Sequence, residues 1–177
     1  RARALAMGPY ATNMPTSVGG AGCTALQQIL VQEQCGRVTN GLGWVMATPP
    51  QWWPDVATDY QLQRWLLPTV RGEKHEAYAI TEEFAGSDTS ALQTTARRDG
   101  DDYVIEGVKW HVTSYNLADY VFVEAVLSDG PHTGDHVLLV VDLPWPGVEV
   151  VRSPKYSHNI ADEHPIVAFR GVRVPVD

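Results

Sequence analysis

Beyond Gly72 the chain is written in short apolar or alternating runs separated by turn residues, and this pattern restricts it more than any other feature. Seven such runs fall at 76–81, 92–97, 103–110, 120–127, 136–142, 148–151 and 166–174. Strand-length runs at this spacing predict a β sandwich or barrel, because each must find partners for its backbone groups and a layer for its apolar side. The run DGDD at 99–102 has the composition of a hairpin turn, and SDGP at 128–131 that of a turn or loop.

Before Gly72 the periodicity is helical. Thr24 can cap a helix whose apolar stripe is Ala25, Leu26, Ile29, Leu30 and Val31, with Gly36 at the C′ position. A second short helix is expected over 37–47, interrupted by PPQWWP at 49–54. Thr58 or Asp59 then caps a third, with Tyr60, Leu62, Trp65 and Leu66 at helical spacing and Pro68 as its stop. The change of pattern divides the chain into a helical segment, residues 1–72, and a β segment, residues 73–177. The expected class is α+β, an N-terminal helical segment followed by an antiparallel β-barrel or sandwich. The final VPVD follows a strand directly and reads as a cut.

Composition narrows the functional classes. With 13 Lys+Arg against 21 Asp+Glu the formal charge is −8, which argues against a basic nucleic-acid binder. No apolar run approaches the roughly 18 residues of a membrane span, and the opening RARALAM is too short for a secretory signal. Cys23 and Cys35 match no zinc spacing and read as buried thiols in a reducing compartment. His75, His132, His136, His158 and His164 form no helical pair with a carboxylate, so no metal site is expected, and His132 and His136 read as solvated loop residues. Trp44, Trp52 and Trp53 read as packing residues.

Chemistry concentrates at TEEFAGSD, 81–88, a strand end running into a small-residue loop where amides, a hydroxyl and a carboxylate crowd together. Such loops bring backbone donors close to a ligand's polar edge. The same residues also suit an ordinary polar turn in which Asp88 and Thr89 bond their own backbone.

Order and context favour the ligand. YAITEEFAGSD (78–88), ALQTTAR (91–97), DYVIEGVK (102–109) and Val112-Thr113 together resemble the flavin-binding middle domain of the acyl-CoA dehydrogenase family. SVGGAG (17–22), VQEQCGR (31–37), QRWLLP (63–68) with Gly72-Glu73, and FRGVRVP (169–175) resemble its flanking segments. The resemblance implies a partial N-terminal helical domain, a middle β domain, and a C-terminal helical bundle absent from this sequence. It implies FAD as cofactor and the α,β-dehydrogenation of an acyl-CoA thioester to a trans-2-enoyl-CoA. Electrons would pass to an electron-transfer flavoprotein or similar acceptor, in a homo-oligomer located in the cytoplasm or, in a eukaryote, the mitochondrial matrix. By the same resemblance Tyr78, Ile80 and Thr81 line the isoalloxazine, with Thr81 bonding near its N5 and O4 edge. Gly86 and Ser87 contact the flavin's polar parts, Ser87 also the CoA portion of the substrate, and Asp88 holds the loop. His111, Val112 and Thr113 supply the second contact. No residue matches the family's base, which is expected beyond residue 177; Glu82 and Glu83 do not occupy its place. Alone, these residues are expected to bind FAD weakly and not to turn over.

Two departures stand out. His111 occupies a position where relatives usually carry Trp, and Trp110 stands one place earlier, where strand alternation aims it at the opposite face. His111 either stacks in place of the indole or has a catalytic or pH-sensing role. Glu83-Phe84 stands where Pro-Gly is commoner. A flavin monooxygenase, a nitroalkane-oxidase-like relative and a catalytically silent ligand- or partner-binding module therefore stay open. Trp52 or Trp53 is expected to shape the acyl pocket.

Overall fold

The computed structural model describes Ala6 and residues 10–37, 49–157 and 161–176. The helix expected over 37–47 with Trp44, and His158, lie outside them. The chain divides into two compact units, Arg1–His75 and Glu76–Val176.

In the first unit, helix α1 spans Ala25–Gly36. Thr24 caps it reciprocally: its Oγ accepts the Gln27 N–H at 3.3 Å, and the Gln27 side chain accepts the Thr24 N–H at 2.8 Å. Gly36 is the last helical residue and not the expected C′ glycine, because Arg37 beyond it keeps right-handed geometry (φ −68°). The α1 stripe is unpacked, with Leu26, Ile29 and Leu30 exposed. The short helix α2, Trp53–Val56, buries Trp53 and leaves Trp52, just before it, exposed. Cys23 and Cys35 are half-buried where full burial was expected.

Helix α3 joins three segments, Asp59–Gln61, the π-helical Leu62–Leu66, and Leu67–Val70, and Thr58 caps it through a second reciprocal pair with Gln61. Pro68 was expected to stop this helix and instead lies buried within it. The Leu67 N–H reaches back to the Leu62 carbonyl, one residue further than an α turn. That wider turn lets Pro68, which has no N–H to give, open the final α turn. Ordinary bonding resumes with Arg71 N–H to the Leu67 carbonyl at 3.0 Å.

The second unit is one seven-stranded sheet: β1 Glu76–Ala79, β2 Thr95–Asp99, β3 Asp102–Lys109, β4 Tyr120–Leu127, β5 His136–Asp142, β6 Val148–Arg152 and β7 Ile166–Pro175. The order runs β1-β4-β2-β3-β7-β6, with β5 on β4. β1 and β2 lie end to end against β4, Tyr78 opposite Phe122 and Ala96 opposite Leu127, and both pairings are parallel. The sheet is therefore mixed rather than wholly antiparallel, since β1 and β2 reach β4 through crossovers and not hairpins. β2 and β3 do form the expected hairpin, with Gly100 (φ 67°) at its first central position. Arg173 ties it down, bonding Asp99 at 2.9 Å and Asp102 at 3.1 Å. The sheet curls until β5 and β7 touch, giving a half-barrel. Ala77, Ala96, Ile105, Val121, Val141 and Phe169 fill it, all 2 % exposed or less. Burying such side chains contributes on the order of 2 kcal/mol each for the larger ones.

Candidate functional site

Strand β1 aims Ala77 and Ala79 into the core, so Tyr78 faces the other way. Its ring stacks on Phe122, centroids 4.8 Å apart and planes 28° apart. Burial pushes the Tyr78 phenol well above its ordinary pKa, and the Glu76 charge adds to the shift. Ile80 and Thr81 follow, both half-buried.

The chain then folds back on itself. Glu82 and Ala85 exchange backbone bonds of 3.0 and 3.3 Å, which lifts Phe84 into solvent. Gly86 and Ser87 are exposed, and a Cβ added to Gly86 would meet nothing within 4 Å. Asp88 holds the loop as expected: its carboxylate takes the Ser90 N–H at 3.1 Å and the Ser90 hydroxyl at 2.6 Å.

Beneath the loop lies a buried ion pair. Lys109 Nζ donates to the Ile80 carbonyl at 2.8 Å and to Glu82 Oε1 at 2.9 Å. Glu82 also accepts the backbone N–H groups of Gln93 at 2.7 Å and Thr94 at 2.9 Å. Burial alone would raise the Glu82 pKa, but the bonds from Thr94, Lys109 and Gln93 outweigh it and hold the carboxyl below its usual range. Burial draws the Lys109 ammonium below its ordinary value, opposed by Glu82. The sequence signal for this pair was Lys109 itself, which shares the parity of buried Ile105 on β3 and so needs an internal partner.

At the end of β3 the Trp110 N–H donates to the Thr81 carbonyl at 2.8 Å, joining the exit of β1 to the exit of β3. His111 (φ 57°) and Ser114 (φ 61°) then take left-handed geometry. Strand alternation ends at Lys109, so Trp110 does not face away from His111 as expected; the two rings meet edge-on, centroids 5.8 Å apart. Val112 is fully buried in the core, so it offers a ligand only its backbone. Thr113 is half-buried, its Oγ1 3.0 Å from His164 Nδ1. His111 is exposed, its Nδ1 2.8 Å from the Tyr156 hydroxyl. Tyr156 and His164 escaped sequence reasoning because they lie in an irregular stretch without periodicity. His136, read both as the start of a strand run and as a solvated loop residue, opens β5 and bonds Glu124 at 2.8 Å.

Thr81, Trp110, His111 and Thr113 thus gather at one end of the sheet, with Tyr78 and Ile80 leading to them and Gly86-Ser87 on a loop anchored by Glu82. Beside the loop is a cavity of about 430 Å³ lined by Glu82, Phe84, Thr94, Gly107, Trp110 and Arg170, among others. Among the described residues no cluster of His, Cys, Asp or Glu could hold a metal ion, and no helix is long and apolar enough to cross a membrane.

The sequence pattern of the acyl-CoA dehydrogenase N-terminal domain matches residues 2–73, and that of the acyl-CoA dehydrogenase middle domain matches 77–168. A 3-(aryl)acrylate reductase of Clostridium sporogenes is 33 % identical over 80 % of this chain and 38 % of its own. The caffeyl-CoA reductase-Etf complex subunit CarC of Acetobacterium woodii is 27 % identical over 95 % of this chain and 45 % of its own. The crystal structure of a probable acyl CoA dehydrogenase from Mycobacterium abscessus superposes with a TM-score of 0.82 at 32 % identity, covering 98 % of this chain and 47 % of that one. The chain spans less than half the length of each of these proteins. Two domain patterns in their family order, on this half-barrel, place the chain in the acyl-CoA dehydrogenase family of flavoprotein oxidoreductases.

Proposed function

We propose that these residues supply the flavin-facing portion of an FAD-dependent acyl-CoA dehydrogenase, which converts an acyl-CoA thioester to a trans-2-enoyl-CoA. The observation that carries this reading is the Trp110 to Thr81 bond, which sets the β1 exit beside the turn bearing Thr113. The donor set fits a flavin: hydroxyls and backbone amides can serve either the nitrogen or the oxygen edge of a heteroaromatic ring, and Gly86 leaves open space for close approach.

FAD, when bound, supplies the acceptor for the substrate's hydride. Tyr78 and Ile80 flank its ring, Thr81 and Thr113 orient the ring edge, and Val112 contributes backbone. His111 presents its imidazole at the rim in place of an indole. Gly86 and Ser87 receive the polar parts, and Ser87 also binds the CoA portion of the substrate. Glu82 is no base for the α-proton, since Lys109 and the amides of Gln93 and Thr94 occupy both its oxygens. The carboxylate for that step is assigned outside these 177 residues. The helical segment (residues 1–72) and the β segment (residues 73–177) both belong to a homo-oligomeric protein of the cytoplasm, or of the mitochondrial matrix in a eukaryote. Electrons leave to an electron-transfer flavoprotein, a partner that the name of the Acetobacterium relative gives to that protein.

A second reading, the reduction of an enoyl or aryl-acrylate double bond, is favoured by two relatives named as reductases. An anaerobic spectrum of the full-length protein separates these. Bleaching of a yellow protein by saturated acyl-CoAs supports dehydrogenation, and reoxidation of the reduced protein only by unsaturated ones supports reduction. A yellow protein inert to both shifts the reading to an oxygenase or oxidase, and a colourless protein that cannot be loaded with FAD defeats it.

A further inference from the structure

The turn after β3 is zipped to a second segment of the β unit. Val112 N–H donates to the Pro165 carbonyl at 3.0 Å and Ser114 N–H to the Glu163 carbonyl at 2.9 Å, an antiparallel pairing outside the seven strands. Asn116 extends it, giving its Nδ2–H to the Ala161 carbonyl and accepting the Glu163 N–H, both at 2.9 Å. The Ser114 hydroxyl closes on the Asp162 carboxylate. This pairing sets His164 across from Thr113, Nδ1 to Oγ1 at 3.0 Å. Tyr156 braces His164 and reaches His111. Its hydroxyl lies 2.8 Å from His111 Nδ1 and 3.2 Å from the His164 carbonyl, and its ring meets the His164 ring edge-on at 4.7 Å.

A threonine hydroxyl has one proton and two lone pairs. At Thr113 the alternative acceptor for that proton is the His111 carbonyl, at a long 3.4 Å, so the imidazole is the stronger neighbour. An imidazole that donates from Nδ1 makes the hydroxyl an acceptor and leaves its proton weakly held by the distant carbonyl, ready for a better acceptor. An imidazole with a bare Nδ1 would take the proton for itself. We infer that His164 is a positioning residue: it donates from Nδ1 to Thr113 Oγ1 and so turns the Thr113 proton outward to the ligand edge. The inference rests on the reading that Thr113 meets the flavin. It adds a group from a distant, irregular segment, and with it Tyr156 as the brace of its ring.

The test uses the full-length holoenzyme and reads the midpoint potential of its flavin together with the dissociation constant for FAD. His164→Phe keeps a ring against Tyr156 and removes the donor; His164→Asn removes the ring and keeps an N–H donor near the Nδ1 position. Loss of one hydrogen bond corresponds to about a fivefold change in the ratio of oxidised to reduced flavin affinity. Thr113→Val and His164→Phe are each expected to produce it, His164→Asn to restore most of it, and the Thr113→Val/His164→Phe double variant to add nothing to either single one. Additive effects in the double variant, or equal effects of Phe and Asn, overturn the role of His164 and leave the flavin site standing. No change of potential or FAD affinity in Thr113→Val removes the flavin contact itself, and the inference with it.

Discussion

Lys109 and Glu82 meet at 2.9 Å where the lysine side chain has no exposed surface at all. Their bond joins strand β3 to the loop that follows β1, and the same carboxylate grips the approach to β2 through Gln93 and Thr94. Three segments that carry or flank the candidate site are therefore held by one side chain.

Breaking this pair from either side strands a buried charge. Lys109→Met and Glu82→Gln are each expected to lower the unfolding free energy by roughly 3–5 kcal/mol, far more than an exposed pair would cost. Urea denaturation of the variants beside the parent checks this. The double variant Glu82→Gln/Lys109→Met should recover part of the loss, because no charge is left unpaired and the side-chain amide oxygen can still accept an N–H from Gln93 or Thr94.

The pH dependence follows from the direction of the Glu82 shift. Its carboxyl is held below the ordinary value of 4.5, so the stabilisation is complete above that pH and drains away as pH falls through the lower, folded value. The parent is expected to lose stability on acidification below about pH 4.5, and Glu82→Gln to show a flatter profile over the same interval. Parallel melting curves between pH 3 and pH 7 decide it. Equal slopes would mean that the carboxyl is not stabilised by the fold.

Two glycines should respond oppositely to alanine. A Cβ on Gly107 would come within 2.7 Å of Thr94 Cα, which is backbone and cannot swing aside. Gly107→Ala is expected to cost about 1–3 kcal/mol. A Cβ on Gly86 meets nothing, so Gly86→Ala should leave stability unchanged and weaken FAD binding, as measured by flavin fluorescence on release.

The two neighbouring tryptophans separate packing from specificity. Trp53 is 2 % exposed and Trp52 43 %. Trp53→Ala should destabilise by about 3–5 kcal/mol. Trp52→Ala should leave thermal stability nearly intact, and an unchanged acyl-CoA profile would remove Trp52 from the substrate pocket.

Much of the β unit was legible because its signals are local. Strands β4 and β5 coincide with their predicted limits, Tyr120–Leu127 and His136–Asp142, since apolar runs end there against Ser, Asp and Pro. The same locality placed Thr24 as a cap and offered Thr58 or Asp59 for the third helix, of which Thr58 is the one used, while Asp88 as the holder of its loop came from the family resemblance. What escaped depends on residues distant in sequence or on single backbone angles. Parallel attachment of β1 and β2 to β4 has no turn signature. The left-handed His111 breaks the alternation that would have separated it from Trp110. The burial of the Val112 side chain in the core, which leaves only its backbone to meet a ligand, likewise depends on the turn and not on any period. Tyr156 and His164 are 45 and 51 residues from their partners, and no period marks the stretch that carries them. Pro68 misled because a stop signal presumes an α turn, and the π turn before it absorbs the missing donor.

Strand β6 stands last in the described sheet order, and two of its apolar side chains, Val150 and Val151, are about half exposed. A row of unpaired amides beside exposed valines would ordinarily recruit another chain. Here a register shift between Val150 and Arg152 bends the rim, and Glu149, paired with Arg170 at 3.1 Å, places charge upon it. Bend and charge together work against a further strand adding at this rim, and neutralising Glu149 is expected to lower solubility before it lowers folding stability.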